Sequence, residues 1–389
     1  MKFLVIGTNV VFSRHELGFI SALNMLGEVD VIVLSDELSI EVKRVGSDNG
    51  VWNVLFYRIP SCSFIEITQC RKLLSKIINI EDYDIIFTTP GLPPLLAHSF
   101  KVFNKTILRL WGIRAAKLRD NLRFGAYEDI AIFMPSLIAN MFYITYSTYA
   151  IAVDYYTYAF ARKQYPIFKN KLTKIYPPYG FIIEKSGSDV FYKIYEVIDK
   201  GEYVLGFTTL TGPLTQQKFE ARPHAIILYQ IAKSMPNINV ILAGSTYEDW
   251  KHAFPQLKPP KNLYIIGRGF KDDVIAELYK KAKLVIVPIS NRSISNRLLE
   301  ALFYGKPIIT SEIVQYLHPE LRHGEHVYVS SWDRIVMDSI KVLNDDYILE
   351  NLAHGAQKAY NKYFSTLTNI RTISKIIDTL IAHEHSTYV

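Results

Sequence analysis

Cysteine is nearly absent, with Cys62 and Cys70 the only two in 389 residues. A secreted domain stapled by disulfides needs more than that, so the chain reads as the product of a reducing, cytoplasmic compartment with both residues as thiols. No dense Lys/Arg tract occurs, although the formal charge is +7 and the pI near 9.0. Positive charge spread in this way favours small anionic partners such as phosphates, nucleotides or acidic head groups. Low-complexity segments and internal repeats are missing too. With 49% hydrophobic against 21% charged residues, a disordered chain is excluded. The opening "MKFLVIGTNV" has an apolar run too short for the core of a signal peptide and reads as a first strand. The loop after it, "GTNVVFSRHELG", lacks the Gly-x-Gly-x-x-Gly spacing that lets backbone approach a pyrophosphate, which argues against a dinucleotide-dependent dehydrogenase.

What is present is alternation. Short β-branched runs ("KFLVIG", "VDVIVLS", "YDIIFTTP", "KTILRLWG") take turns with helix-like stretches ("HELGFISALNML", "CRKLLSKIIN"). Consecutive parallel strands need a crossover helix, so this is the pattern of βαβ units. After a Pro- and Gly-rich interval the pattern restarts with "YVLGFTT", "INVILAGS", "NLYIIGRGF", "KLVIVPIS" and "KPIITSE". The length exceeds what one core serves. The expected fold class is therefore α/β, with two Rossmann-like doubly wound parallel sheets facing across a cleft. Expected domains are 1–180 and 181–365. The apolar stripe Ile370, Ile373, Ile376 and Ile377 predicts a C-terminal helix over 366–389, packing back toward the N-terminal domain. Ligands of open α/β sheets bind beyond the strands' C-terminal ends, so function is sought in those loops.

The stretch "SNRSISNRLLEALFYGKPIIT", Ser290–Thr310, carries the sharpest chemistry. A polar loop leads into a helix for which Ser293 or Ser295 is the natural N-cap. Its first turn offers unpaired N–H groups and the positive dipole end, with Arg292 and Arg297 adding charge, which suits a phosphate or diphosphate. Asn296 and Glu300 share a helix face, and Glu300 lies roughly 7 Å along the axis from a cap at Ser295, about a ribose's distance from its diphosphate. A carboxylate there accepts two hydroxyl hydrogen bonds. The competing reading is an exposed i, i+3 ion pair between Arg297 and Glu300. That order is a poor stabilising choice on a helix, because the acidic residue is preferred on the N-terminal side.

From "NLYIIGRGFKDDVIAELYKKAKLVIVPISNRSISNRLLEALFYGKPIIT" and the following "LHPELRHGEHVYV", the chain resembles GT-B fold glycosyltransferases, in particular the retaining group called family 4. The likeness is strongest from about Val204 to Val329. It implies an enzyme of hexosyltransferase type and a donor site in the C-terminal half. There Gly267, Arg268, Gly269 and Phe270 form the base-side loop. Ser293, Ile294, Ser295, Asn296 and Arg297 hold the diphosphate and Glu300 the ribose, while Glu320 matches a position near the donor sugar, with an exposed turn residue as the equal alternative. The co-substrate is a UDP- or GDP-linked sugar, with no separate cofactor and no metal. His318, His323 and His326 have no metal-ligand spacing.

Departures are specific. The family's first glutamate is Arg292 here, which can neutralise a leaving diphosphate but cannot act as a base. Its phosphate arginine after the first C-domain strand is Phe207, leaving Lys218 and Arg222 as cations. Its acceptor-domain histidine after "ILRL" is Trp111. Catalytic weight accordingly falls on Arg292, Arg297 and Glu300, and the acceptor side on Thr8, Arg14, His15 and Trp111. For Arg14 and His15 a plain surface role is the equal alternative. A rival class is a nucleotide- or glycan-binding module that has lost its chemistry, and a glycosyl phosphorylase is a smaller alternative. The tyrosine-rich "TYSTYAIAVDYYTYAFARKQY" reads as packing rather than a nucleic-acid platform. The uncharged run Ile130–Val153 is long enough to span a bilayer. With Pro135 and Asn140 inside it, it reads as a buried helix running into a buried strand, with at most peripheral contact at the inner membrane face, where a glycan or lipid-linked acceptor is met.

Overall fold

The structure is a computed structural model. It describes residues 1–61, 66–111, 147–184, 194–199, 201–211, 220–290 and 295–386. Among these the chain forms two compact units. The first holds residues 1–182 and returns from Tyr363 to the C-terminal helix; the second holds 183–290 and 295–362.

In the first unit β1 (Lys2–Thr8), β2 (Glu28–Ser35), β3 (Ser39–Ser47), β4 (Gly50–Pro60), β5 (Ile85–Thr88), β6 (Thr106–Leu110), β7 (Tyr149–Ala152), β8 (Leu172–Lys174) and β9 (Phe181–Ile182) make one sheet. Their order is β8-β7-β6-β5-β1-β2-β4-β3-β9. All neighbours are parallel except β3, which runs antiparallel to β4 and β9. The hairpin turns at Asp48-Asn49-Gly50, a sequence whose last residue tolerates the φ of +153° found there. β1 pairs β2 on one side and β5 on the other, so chain direction across the sheet reverses between β1 and β5.

Helix Arg14–Asn24 and the C-terminal helix Thr366–Ser386 cover one face. Leu17, Phe19, Ile20 and Leu23 meet Ile373, Ile376, Ile377 and Leu380 over Phe3, Val5 and Phe87. The C-terminal helix is anchored at its start, where the Thr366 N–H donates to Asp48 Oδ2 at 3.0 Å. Gly18 cannot be replaced, because a Cβ there would lie 2.0 Å from the Pro178 carbonyl oxygen. Cys70, expected as a thiol, is disulfide-bonded. Its burial against the β4 side is compatible with either state, which is why composition did not reveal it.

The second unit has β10 (Tyr203–Phe207), β11 (Asn239–Ala243), β12 (Leu263–Ile265), β13 (Ala282–Val287), β14 (Ile308–Ser311) and β15 (Tyr328–Ser330). Their order is β12-β11-β10-β13-β14-β15, every pair parallel. The reversal here falls between β10 and β13. Such a switch point leaves a crevice at the strands' C-terminal ends. The alternation read from the sequence thus yields two parallel-sheet domains.

Of the uncharged run, residues 130–146 lie outside the described residues. Of the remainder, Tyr149–Ala152 form β7, with Ala150, Ile151 and Ala152 buried. Among the described residues no helix is long and apolar enough to cross a membrane.

Candidate active site

The loop after β13 opens into helix Asn296–Phe303. Its N-cap is Ser295, whose Oγ accepts the Leu298 N–H at 3.3 Å. Arg292, Ser293 and Ile294 lie outside the described residues, as does Lys218. Leu298, Leu299, Ala301 and Leu302 are buried, which fixes the helix's rotation against the sheet.

That rotation places Glu300 inward with no exposed surface. Its Oε2 accepts the Tyr279 hydroxyl at 2.7 Å and Arg297 Nη1 at 2.6 Å. The i, i+3 ion pair therefore forms, but it is not the solvated surface pair the sequence allowed. The carboxylate is fully buried, while 39% of the Arg297 side chain remains exposed. A buried carboxylate needs partners to remain charged, and a phenol plus a guanidinium supply them.

An aromatic stack supports the pair. Tyr279, from helix Asp272–Lys281, lies between Phe207 and Tyr304, each ring centroid 5.3 Å away. The Arg297 guanidinium sits over the Phe207 ring at 4.2 Å. Phe207 closes β10 and so stands at the switch point itself. Burial, then the Glu300 charge, pushes the Tyr279 hydroxyl well above the usual tyrosine range, so it remains a donor.

A second cluster gathers the loops after β10, β11 and β12. Ser245 Oγ donates to the Thr208 carbonyl at 2.8 Å and accepts the Leu210 N–H at 2.9 Å. Gly267 N–H donates to the Ser245 carbonyl at 2.9 Å. Arg268 reaches Thr211 Oγ1 at 2.5 Å. Gly267 and Gly269 have φ of +92° and +79°, and a Cβ on Gly269 would meet nothing within 4 Å. A left-handed turn with open space beside it is suited to close approach by a flat ligand. Phe270 follows in the same loop. Arg222 begins helix Arg222–Ser234, and its buried Nε has no partner among the described residues. Asn296 lies in the first turn of the helix that Ser295 caps.

In the first unit Thr8 ends β1, and Arg14 and His15 begin the helix that follows. Sequence reasoning missed what lies beneath them. Glu16 and Arg109 are both fully buried and paired, Arg109 Nη2 to Glu16 Oε1 at 2.6 Å. Trp111 Nε1 donates to the same oxygen at 2.7 Å. His15 meets the Trp111 ring edge-on at 5.7 Å and places Nε2 3.8 Å from Glu16 Oε1. Thus His15 and Trp111 are brought together on a buried charge pair, at the C-terminal ends of β1 and β6. The missed signal was the lone carboxylate in "RHELGFISALN", on a helix with an apolar run, and the lone arginine in the buried strand "TILRL".

Residues 221–345 match the sequence family described as Glycosyl transferases group 1. No curated protein matches the chain at the level of sequence. Solved structures match across both units. HepE of Anabaena in complex with UDP-glucose is 15% identical, with 97% of this chain and 100% of that chain covered and a TM-score of 0.66. Sucrose-phosphate synthase of Thermosynechococcus elongatus is 12% identical, covers 98% and 100%, and has a TM-score of 0.70. WaaG, a glycosyltransferase involved in lipopolysaccharide biosynthesis, is 14% identical, covers 97% and 99%, and has a TM-score of 0.60. Two parallel-sheet domains of this kind, matched along nearly the whole chain by these structures, are the GT-B fold. Within the second unit, residues 221–345 are the part that matches the group 1 glycosyl transferase family.

Proposed function

We propose that the protein transfers a hexose from a UDP-linked donor to a hydroxyl of a glycan or lipid-linked acceptor, with retention of anomeric configuration and without a metal. The observation that carries this reading is the buried Glu300 carboxylate at the β10–β13 switch point, in the matched domain, held by Tyr279 and Arg297. HepE is solved with UDP and with UDP-glucose, which supports uridine as the base.

In this reading the ribose hydroxyls donate to Glu300. The diphosphate lies at the start of helix Asn296–Phe303, with Arg297, Arg292 and Arg222 as cations. The bond from the anomeric carbon to the diphosphate oxygen breaks, and the acceptor oxygen bonds to the same carbon on the same face. The acceptor proton passes to the leaving phosphate. Charge grows on the diphosphate as this happens, and fixed N–H dipoles and guanidinium groups stabilise it. Gly267, Arg268, Gly269 and Phe270 form the base-side wall. Thr8, Arg14, His15 and Trp111 serve the acceptor, reached from the cytoplasmic face of a membrane by peripheral contact.

A panel of UDP- and GDP-sugars, screened by thermal shift and then for release of free nucleotide, tests this. Stabilisation by a UDP-sugar with nucleotide release supports transfer. Stabilisation without release on any acceptor supports the second reading, a binding module. That reading is favoured by Phe207 at the family's arginine position and Trp111 at its histidine position.

A further inference from the structure

Tyr279 and Arg297, both bonded to Glu300 Oε2, differ in freedom. Tyr279 is buried and stacked on both faces, by Phe207 and by Tyr304. Arg297 reaches the same oxygen from a side chain that is 39% exposed. A carboxylate with no exposed surface meets a ribose only after something covering it moves, and Arg297, with part of its side chain exposed, is placed to do so. A diphosphate offers it more negative charge than a single carboxylate, with bidentate geometry.

We propose that Tyr279 is a positioning residue for the donor nucleotide: its hydroxyl holds the Glu300 carboxylate in place while Arg297 passes from that carboxylate to the diphosphate, and the ribose hydroxyls take the place Arg297 leaves. The inference rests on Glu300 as the ribose ligand, as read above. A carboxylate has room for about four hydrogen bonds, so Tyr279 and two ribose hydroxyls together do not exceed its capacity. With the stacked Tyr279 hydroxyl still bonded to it, the buried carboxylate keeps an anchor when Arg297 departs. The Phe207 ring under the guanidinium gives Arg297 a surface on which to turn without leaving the site.

Isothermal titration of the full chain with UDP, uridine and 2′,3′-dideoxy-UDP tests this, with a thermal melt of each variant to verify folding. Tyr279→Phe keeps the stacked ring and removes the hydroxyl. It is expected to weaken UDP about tenfold and dideoxy-UDP by less than about twofold, because the latter has no hydroxyl for Glu300 to receive. Equal losses for both ligands would mean that Tyr279 only packs, and would overturn the inference. Arg297→Met is expected to weaken UDP yet tighten uridine, since the nucleoside no longer has to displace the guanidinium. Weakening of both would show that Arg297 does not leave Glu300, and would overturn it too. Should Tyr279→Phe not fold, these opposite signs carry the test alone. If Glu300→Gln leaves UDP binding unchanged, the ribose reading itself fails. If Glu300→Gln weakens UDP while Tyr279→Phe does not, only the positioning role fails.

Discussion

Arg109 and Glu16, both without exposed surface, close a two-pronged ion pair with Nη2 to Oε1 at 2.6 Å and Nε to Oε2 at 3.0 Å. The guanidinium also lies 3.6 Å from the centroid of Phe19. Removing one partner leaves an uncompensated charge in the core, which is far more costly than replacing both. Arg109→Met is expected to lower stability by about 3–5 kcal/mol, and Glu16→Leu with Arg109→Met to recover most of that loss. Urea unfolding of the single and double variants checks it; equal losses in both would mean the pair is net stabilising.

Trp111 depends on the same carboxylate for its orientation. Trp111→Phe keeps a ring but deletes the N–H that Glu16 receives. Transfer to acceptor is expected to fall about fivefold, roughly the worth of one hydrogen bond, with UDP affinity unchanged. Parallel titration and transfer assays separate the two, and a loss of UDP affinity would place Trp111 outside the acceptor side.

Arg292 stands where the family has a carboxylate, and its role is read from sequence. Arg292→Ala is expected to lower turnover at least about tenfold, the value of one charge-assisted contact to the leaving group. Arg292→Glu should not rescue it, because a second negative charge would face the diphosphate. Turnover in Arg292→Glu equal to the parent's would show that the arginine has no leaving-group role.

His224 gives the second unit a pH signature. Its ring is fully buried, and that burial lowers its pKa to about 4, opposed in part by a hydrogen bond to the Ile286 backbone. The unfolded chain, with an ordinary histidine, binds the proton first. Stability therefore holds above the ordinary histidine pKa and is lost as pH falls through the window down to about 4. The loss amounts to about 3 kcal/mol at most. Melting curves across that window should show a slope that His224→Gln removes.

The sheets were legible because β-branched runs and helical stripes alternate locally along the chain. The antiparallel β3 was not, since its strand is half exposed and lacks an apolar run, and β9 joins it from far along the sequence. Glu300 was legible because a cap, a helix face and a charge lie within one short segment. Tyr279 was not, because its bond to Glu300 depends on helix packing beside the β10–β13 pair, which no local pattern encodes. Its signal was a tyrosine on the buried face of "DDVIAELYKK". Glu16 and Arg109 lie 93 residues apart and meet only because β6 and the helix after β1 share a sheet face.

The most direct test of the account is the affinity of UDP for Glu300→Gln, measured by isothermal titration beside a thermal melt. The substitution keeps the shape and removes the charge that receives the ribose hydroxyls. The account predicts a loss of about 1–3 kcal/mol in UDP binding with the fold intact. Unchanged affinity in a folded variant would contradict it.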